Sequence, residues 1–362
     1  MYRNKDVFFN STEFDDNSDY RRFYPKLMEG ETLPEQPTFE EDKLINHYYS
    51  KGSAVMLGYY FGIQILVFAL VFCIRQGAKI FLELQGKAVT ADAVKDILSQ
   101  SILNIALNAV IFLIMNVGIF FLGCKVCKIN KSSIFSTRNL NKTTLLYYIF
   151  FALGLQFAAG IAANIITSFM KSGGVENYTP DISTPTVSAL LLSILYSCII
   201  APVTEELLYR GFVLRAFSIV SQRTGIFVSS LFFAIGHQNT SQAILAFVTG
   251  LLLGYIAVKH NSIIPCIIVH CAVNSYPTLL YDILPRLITS QTLDIISTIC
   301  FYSVIVLGFI SAIVVAGQND YPQKTELQKK RCYGYISTFT FVAYIFANLF
   351  ELVDLIVKVN RK

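Results

Sequence analysis

Tryptophan is absent from this 362-residue chain, and charge is scarce: Asp, Glu, Lys and Arg make up 15% of it. A soluble chain carries about a quarter of its residues charged. With 54% hydrophobic residues and a mean hydropathy of +0.53, the composition excludes an ordinary soluble domain and points to a polytopic membrane protein. The net charge of +5 is therefore no argument for a nucleic-acid partner. Without Trp, Tyr and Phe must supply any aromatic belt at the membrane surface. Eight cysteines are scattered, mostly inside apolar runs (Cys73, Cys124, Cys198, Cys266, Cys271, Cys300), and only Cys124 and Cys127 come near to pairing. That spacing is neither a metal knuckle nor a disulfide framework. No tandem repeat is present. The opening MYRNKDVFFNSTEFDDNSDY has no apolar run of the signal-peptide kind, so the first span is expected to act as its own insertion signal.

What is present is a succession of long apolar runs. Residues 1–53 carry eleven acids and seven bases, broken by Pro25, Pro34 and Pro37, and read as an acidic N-terminal cytoplasmic tail. Residues 54–362 read as a transmembrane domain, an all-α polytopic helical bundle of about eight or nine spans. The runs lie near 54–74, 101–124, 144–169, 187–204, 225–238, 242–258, 263–281, 293–316 and 334–357. Most reach the roughly 20 residues that a helix needs to cross the hydrocarbon. The fifth does not, unless it starts earlier or lies buried among other helices. A short interfacial helix is expected within 75–100. With the N-terminus cytoplasmic, more than two-thirds of the 29 Lys and Arg fall on the inside, as the positive-inside rule requires. Nine spans put the C-terminus outside, against which Lys358, Arg361 and Lys362 argue.

Three polar groups interrupt the apolar region. In TEELLYRGF, Glu206 and Arg210 stand four apart and share a helical face, so they can pair, while Glu205 lies about 100° round the helix and lacks that partner. In LFFAIGHQ, Phe233 and His237 repeat the spacing; in IIVHCAVNSYP, His270 and Asn274 do so again. Ionised side chains at membrane depth are costly and mark function. A glutamate and two histidines suffice to activate a water, with Glu205 as base, His237 holding the water, and His270 with Asn274 donating to the oxyanion. The same set would suit a divalent metal such as zinc, though HExxH spacing is absent. Spacing does not decide between them. Each motif also has a plainer reading: an intramembrane His is as often a helix-packing hydrogen bond, and EExxxR alone is more often a solvated ion-paired face. All three in order within about 70 residues are much harder to obtain by accident.

EExxxR as Glu205, Glu206 and Arg210, then FxxxH as Phe233 and His237, then HxxxN as His270 and Asn274, resembles the CPBP family, also called Abi, of CAAX prenyl proteases and bacteriocin-processing proteins. The likeness covers roughly residues 187–281, the protease-like core. It implies an all-helical intramembrane endopeptidase whose site opens toward the membrane interior and the cytoplasmic side. On that likeness Glu205 is the general base and His237 positions the water. His270 and Asn274 form the oxyanion site, Glu206 supports it and Arg210 braces it. The glutamate mechanism requires no cofactor, and it is favoured over a metal because His270 with Asn274 makes a better oxyanion clamp than ligand pair. Family members in eukaryotes cut a C-terminal tripeptide from a prenylated cysteine. Bacterial ones are linked to peptide maturation, bacteriocin immunity and membrane signalling. A composition rich in Ile, Asn, Phe and Lys fits an AT-rich bacterial gene, so the expected partner is a membrane-associated peptide or protein substrate in a cell membrane.

Two rival classes remain. One is a non-cleaving scaffold or immunity partner that binds a sensor kinase or toxin; an intact Glu205, His237 and His270 count against it. The other is a proton-coupled transporter, for which the inverted repeats and broken helices are missing. The tail and the last two spans lie outside the likeness, and Glu351 and Asp354 in the last span read as an end-of-helix pair reaching for the interface.

Overall fold

Long apolar runs leave the backbone one way to satisfy its hydrogen bonds in lipid, the helix, and a computed structural model shows them as helices. It describes residues 39–131, 134–137, 140–177, 184–218, 221–318 and 338–360. In chain order these form α1 (Phe39–Leu84), α2 (Ala91–Leu98), α3 (Ser101–Val126), α4 (Lys142–Ser172), α5 (Val187–Phe217), α6 (Gln222–Ile235), α7 (Thr240–His260), α8 (Ile264–Arg286), α9 (Ser290–Ala316) and α10 (Phe339–Asn360). Eight of them are long and apolar enough to cross a bilayer. The ninth expected span is α6, with 14 residues, and it survives its shortness by burial: Val228, Phe232 and Phe233 are almost wholly enclosed by neighbouring helices.

Three boundaries differ from those read in the sequence. The first helix begins at Phe39, inside the expected tail, because Tyr48, Tyr49, Ser53 and Met56 form a buried helical stripe and Tyr49 stacks on Phe217 at 5.6 Å; residues 1–38 of that tail lie outside the described residues. It also runs on to Leu84, ten residues past its apolar run, and there α2 docks by packing Val94 against Ala78 and Leu82. The fourth span does not stop at Thr204. Helix α5 is 31 residues long in all and runs on to Phe217, carrying both glutamates and Arg210 within it rather than after it.

Two cores share α5. On one side Tyr49, Met56 and Tyr59 of α1, Phe120 of α3, Phe212 and Phe217 of α5, Phe232 of α6 and Tyr344 of α10 pack together. On the other, Leu214 joins Tyr148 and Ala152 of α4, Leu253 and Ile256 of α7, Val269 of α8 and Val304 of α9. Lipid is as apolar as leucine, so close packing rather than exclusion of water must sort such helices. Glycine notches provide it. A Cβ on Gly123 would lie 2.5 Å from the Phe212 ring and one on Gly211 2.8 Å from Phe120, so α3 and α5 interlock reciprocally. Gly154 of α4 and Gly308 of α9 meet backbone to backbone, where a Cβ on the former would stand 3.0 Å from the Cα of the latter.

The last span docks on the first. Thr340 donates to the Ser50 carbonyl at 3.1 Å, Tyr344 buries beside Phe232 at 4.4 Å, and Gln64 of α1 donates to both Glu351 oxygens at 3.2 Å. Glu351 thus bonds across to α1, while Asp354 pairs with Lys358 on its own helix.

Candidate active site

Helix α5 is irregular where its chemistry sits. It opens at Val187, capped by the Thr186 hydroxyl, which accepts from the Ala189 N–H at 3.2 Å. It then widens into π turns at Tyr196–Ile200 and Leu207–Val213, which bracket the α-helical stretch Ala201–Glu206. Such turns recur at functional sites. Proline explains the first. Ala201 donates five residues back, to the Tyr196 carbonyl. The next residue, Pro202, has no N–H to donate to Ser197 in the same register. Asn274 of α8 fills the gap, donating its Nδ2 to the Ser197 carbonyl at 2.9 Å.

One turn later the helix presents its charges. Arg210 Nη1 donates to Glu206 Oε1 at 2.7 Å, and neither side chain has any exposed surface. His270 Nδ1 lies 2.9 Å from the same oxygen, and since a carboxylate oxygen accepts, Nδ1 carries the proton. Arg210 is held on two further sides: Nη2 donates to the Gly250 carbonyl of α7 at 3.3 Å, and the guanidinium sits 4.7 Å from the centre of the Phe233 ring. Cation–π contacts of this kind gain strength when desolvated. The pair anticipated four residues apart is therefore a fully buried bracket joining α5, α7 and α8.

Glu205 points elsewhere. Its side chain keeps 17% of its surface, and its Oε2 lies 3.6 Å from His270 Nε2, too long for a hydrogen bond. His270 thus faces both glutamates, bonded to one and merely near the other. His237, at the C-terminal end of α6, places Nδ1 2.8 Å from the Phe233 carbonyl; a carbonyl accepts, so Nδ1 holds the hydrogen and Nε2 is left with its lone pair. His237 lies within electrostatic range of Glu205. Phe233 is the spacer between the two histidines, with its ring 4.8 Å from that of His237 and 5.6 Å from that of His270.

Of the six residues singled out in the sequence, Glu206, Arg210 and His270 are in direct contact and Glu205 stands beside His270; His237, just past α6, lies within electrostatic range of Glu205, and Asn274 of α8 bonds to Ser197 of α5. Asn274 also has a post that the sequence did not suggest, spending one amide N–H on the Ser197 carbonyl. Several neighbours carried no signal in the sequence: Gly250, which contributes only a carbonyl, and Tyr59, Tyr196 and Tyr209, whose hydroxyls lie within electrostatic range of Glu205. Tyrosines in apolar runs read simply as core or belt. A metal would need Glu205, His237 and His270 to converge; among the described residues, no three His, Cys, Asp or Glu side chains are close enough to share an ion. Burial, one free carboxylate, one imidazole with an open Nε2 and a second braced by a carboxylate together form a set that can take up and return protons beside a bound carbonyl.

Comparison with known proteins places these helices. Residues 187–276 match the model of the type II CAAX prenyl endopeptidase Rce1-like family, a segment that starts with α5 and ends just after Asn274. No curated protein and no solved structure matches the chain. The match covers a quarter of the protein and holds every residue of the three motifs. Within a multi-pass helical membrane protein, residues 187–276 thus resemble type II CAAX prenyl endopeptidases, and the match supports the CPBP/CAAX-protease family for that segment.

Proposed function

We propose that this protein is an intramembrane endopeptidase that uses glutamate-activated water, without a metal, to cut a peptide bond in a membrane-associated peptide or protein. The observation that carries the reading is the division of labour between adjacent carboxylates: Glu206 is locked by Arg210 and His270, while Glu205 is partly exposed and uncommitted. Glu205 takes a proton from a water held at His237 Nε2, and the water oxygen attacks the carbonyl carbon of the scissile bond. The carbonyl electrons move onto its oxygen. His270, held through Nδ1 by Glu206, donates to that oxyanion when Nε2 also carries a hydrogen, and the remaining Asn274 N–H is the second donor. Loss of one such donor costs about 10²–10³ in rate. Collapse of the adduct breaks the C–N bond, and the leaving amine takes the proton stored on Glu205.

In this reading the N-terminus is cytoplasmic, the host is bacterial, and the substrate is a peptide or a signalling protein of the membrane. The test is cleavage of a fluorogenic membrane-peptide library by purified protein in nanodiscs, beside Glu205→Ala, with and without a strong chelator. Cleavage that survives chelation and vanishes in Glu205→Ala, with thermal stability unchanged, is the expected result. Cleavage by Glu205→Ala removes the assigned base, and loss under chelation makes Glu205 and the histidines metal ligands. No cleavage in any arm favours the non-cleaving scaffold or bacteriocin-immunity partner.

A further inference from the structure

A hydrogen-bonded chain enters the site from helices outside the family-matched segment. Tyr59 of α1 donates its hydroxyl to Asn116 Oδ1 of α3 at 2.7 Å. Asn116 Nδ2 donates to the Thr204 hydroxyl of α5 at 3.0 Å, and Thr204 donates to the Ala201 carbonyl at 3.2 Å. At its other end the Tyr59 hydroxyl lies beside that of Tyr209, also on α5, and Tyr209 in turn reaches toward Gly236, the neighbour of His237. Asn116 is wholly buried; Tyr59, Thr204 and Tyr209 nearly so.

Asn116 accepts from Tyr59 through Oδ1 and donates to Thr204 through Nδ2, so both ends of its buried amide are occupied and tie α1 to α5 through α3. The chain as a whole touches α5 on either side of the reacting carboxylate: at Thr204 and, through it, Ala201 before Glu205, and at Tyr209, through Tyr59, after it. The π turns that bracket Ala201–Glu206 loosen the regular backbone ladder at both ends of this stretch. Without outside support, that turn has more freedom to rotate than a regular helix, and a misplacement of about 1 Å is enough to cost about 10²-fold in rate.

We infer that Tyr59 and Asn116 are positioning residues for the peptidase site, a clasp from α1 and α3 that fixes the turn bearing Glu205. The inference rests on the reading of Glu205 as base. It assigns work to two spans that the family match leaves out, and it makes the protease-like segment incomplete on its own.

Two variants keep shape while cutting links: Tyr59→Phe removes one hydroxyl, and Asn116→Leu removes the amide at near-constant volume. The clasp predicts kcat lowered about tenfold in Tyr59→Phe and more in Asn116→Leu, with KM within about twofold. The double variant should match Asn116→Leu, because both changes break one chain. Asn116→Gln, which keeps the amide, should recover part of the loss. Hydrogen–deuterium exchange of the full chain in nanodiscs reads the same clasp without any substrate: protection at amides 201–209 should fall in both variants while α4 and α9 stay unchanged. Unaltered exchange at 201–209 overturns the clasp whether or not the protein cleaves. Faster exchange there with kcat unchanged overturns the positioning role. If Glu205→Ala retains cleavage, the reading of the site has failed instead, and the exchange data then judge the clasp alone.

Discussion

Asn274 Nδ2 donates to the Ser197 carbonyl at 2.9 Å, on the one helical turn where Pro202 cannot supply a backbone donor. The residue that completes the third motif is therefore also a splint for the helix that carries the first. Asn274→Ala should strand that carbonyl and lower stability by about 1–3 kcal/mol, the usual penalty for a half-buried acceptor left unpaired. Cleavage should fall further than stability alone requires, since the second N–H is lost as well. Asn274→Asp should be worse than Ala, setting a carboxylate against a carbonyl oxygen. Thermal unfolding in nanodiscs, run beside the cleavage assay, separates the two losses; unchanged stability in Asn274→Ala would remove the splint.

The Glu206–Arg210 pair makes a sharper claim. Both side chains are fully buried, so removing either leaves an uncompensated charge, which costs about 3–5 kcal/mol. Glu206→Gln and Arg210→Met should each unfold well below the wild type. The double variant, Glu206→Leu with Arg210→Met, should recover much of the stability, because a matched apolar pair pays no desolvation. It should not recover cleavage, since His270 Nδ1 would have lost its carboxylate. A double variant no more stable than the singles would show that the bracket's other contacts, to Gly250 and Phe233, dominate.

Much of this site was legible in the sequence because charge inside an apolar run has few bland explanations. Glu205, Glu206, Arg210, His237 and His270 stand out against their surroundings, and helical spacing alone paired Glu206 with Arg210. The same property hid the length of α5. Glu206 and Arg210 depress the local hydropathy and make 205–217 look like a polar connection, whereas in the fold each cancels the other's cost. Tyr59 and Asn116 lie 57 residues apart in different runs, and nothing in either run marks them as partners. The early start at Phe39 was missed for a related reason: charges between Glu40 and Lys43 outweighed the stripe of Tyr48, Tyr49 and Ser53, which only tertiary contact with Phe217 makes meaningful.

The reciprocal notches between α3 and α5 predict the cost of a single methyl. In Gly123→Ala the new Cβ would stand 2.5 Å from the Phe212 ring, itself fully buried, so the ring or a helix must shift. Overpacking of this order costs about 1–3 kcal/mol. Phe212→Leu in the same chain should restore most of it by opening the notch. Gly118, on the same helix with nothing near its Cβ position, is the control: Gly118→Ala should leave the unfolding temperature unchanged or raise it.

His237 separates chemistry from architecture most cleanly. It is half-buried just past the end of α6, and its side-chain hydrogen bond among the described residues, Nδ1–H to the Phe233 carbonyl, is local to its own turn. Removing the ring should therefore cost little stability. If Nε2 holds the attacking water, His237→Ala should lose about 10²–10⁴ of the rate, the range for a positioned acid–base group. Added imidazole should restore part of it, because the free ring can occupy the space that the side chain leaves beside Phe233. His237→Gln tests the tautomer: its amide N–H can replace Nδ1–H toward Phe233, but its oxygen cannot then reach the Nε2 position. It should fold normally and stay inactive even with imidazole present. Normal cleavage in His237→Gln would mean that the water is held from another side, with Tyr196 or Tyr209 the next candidates.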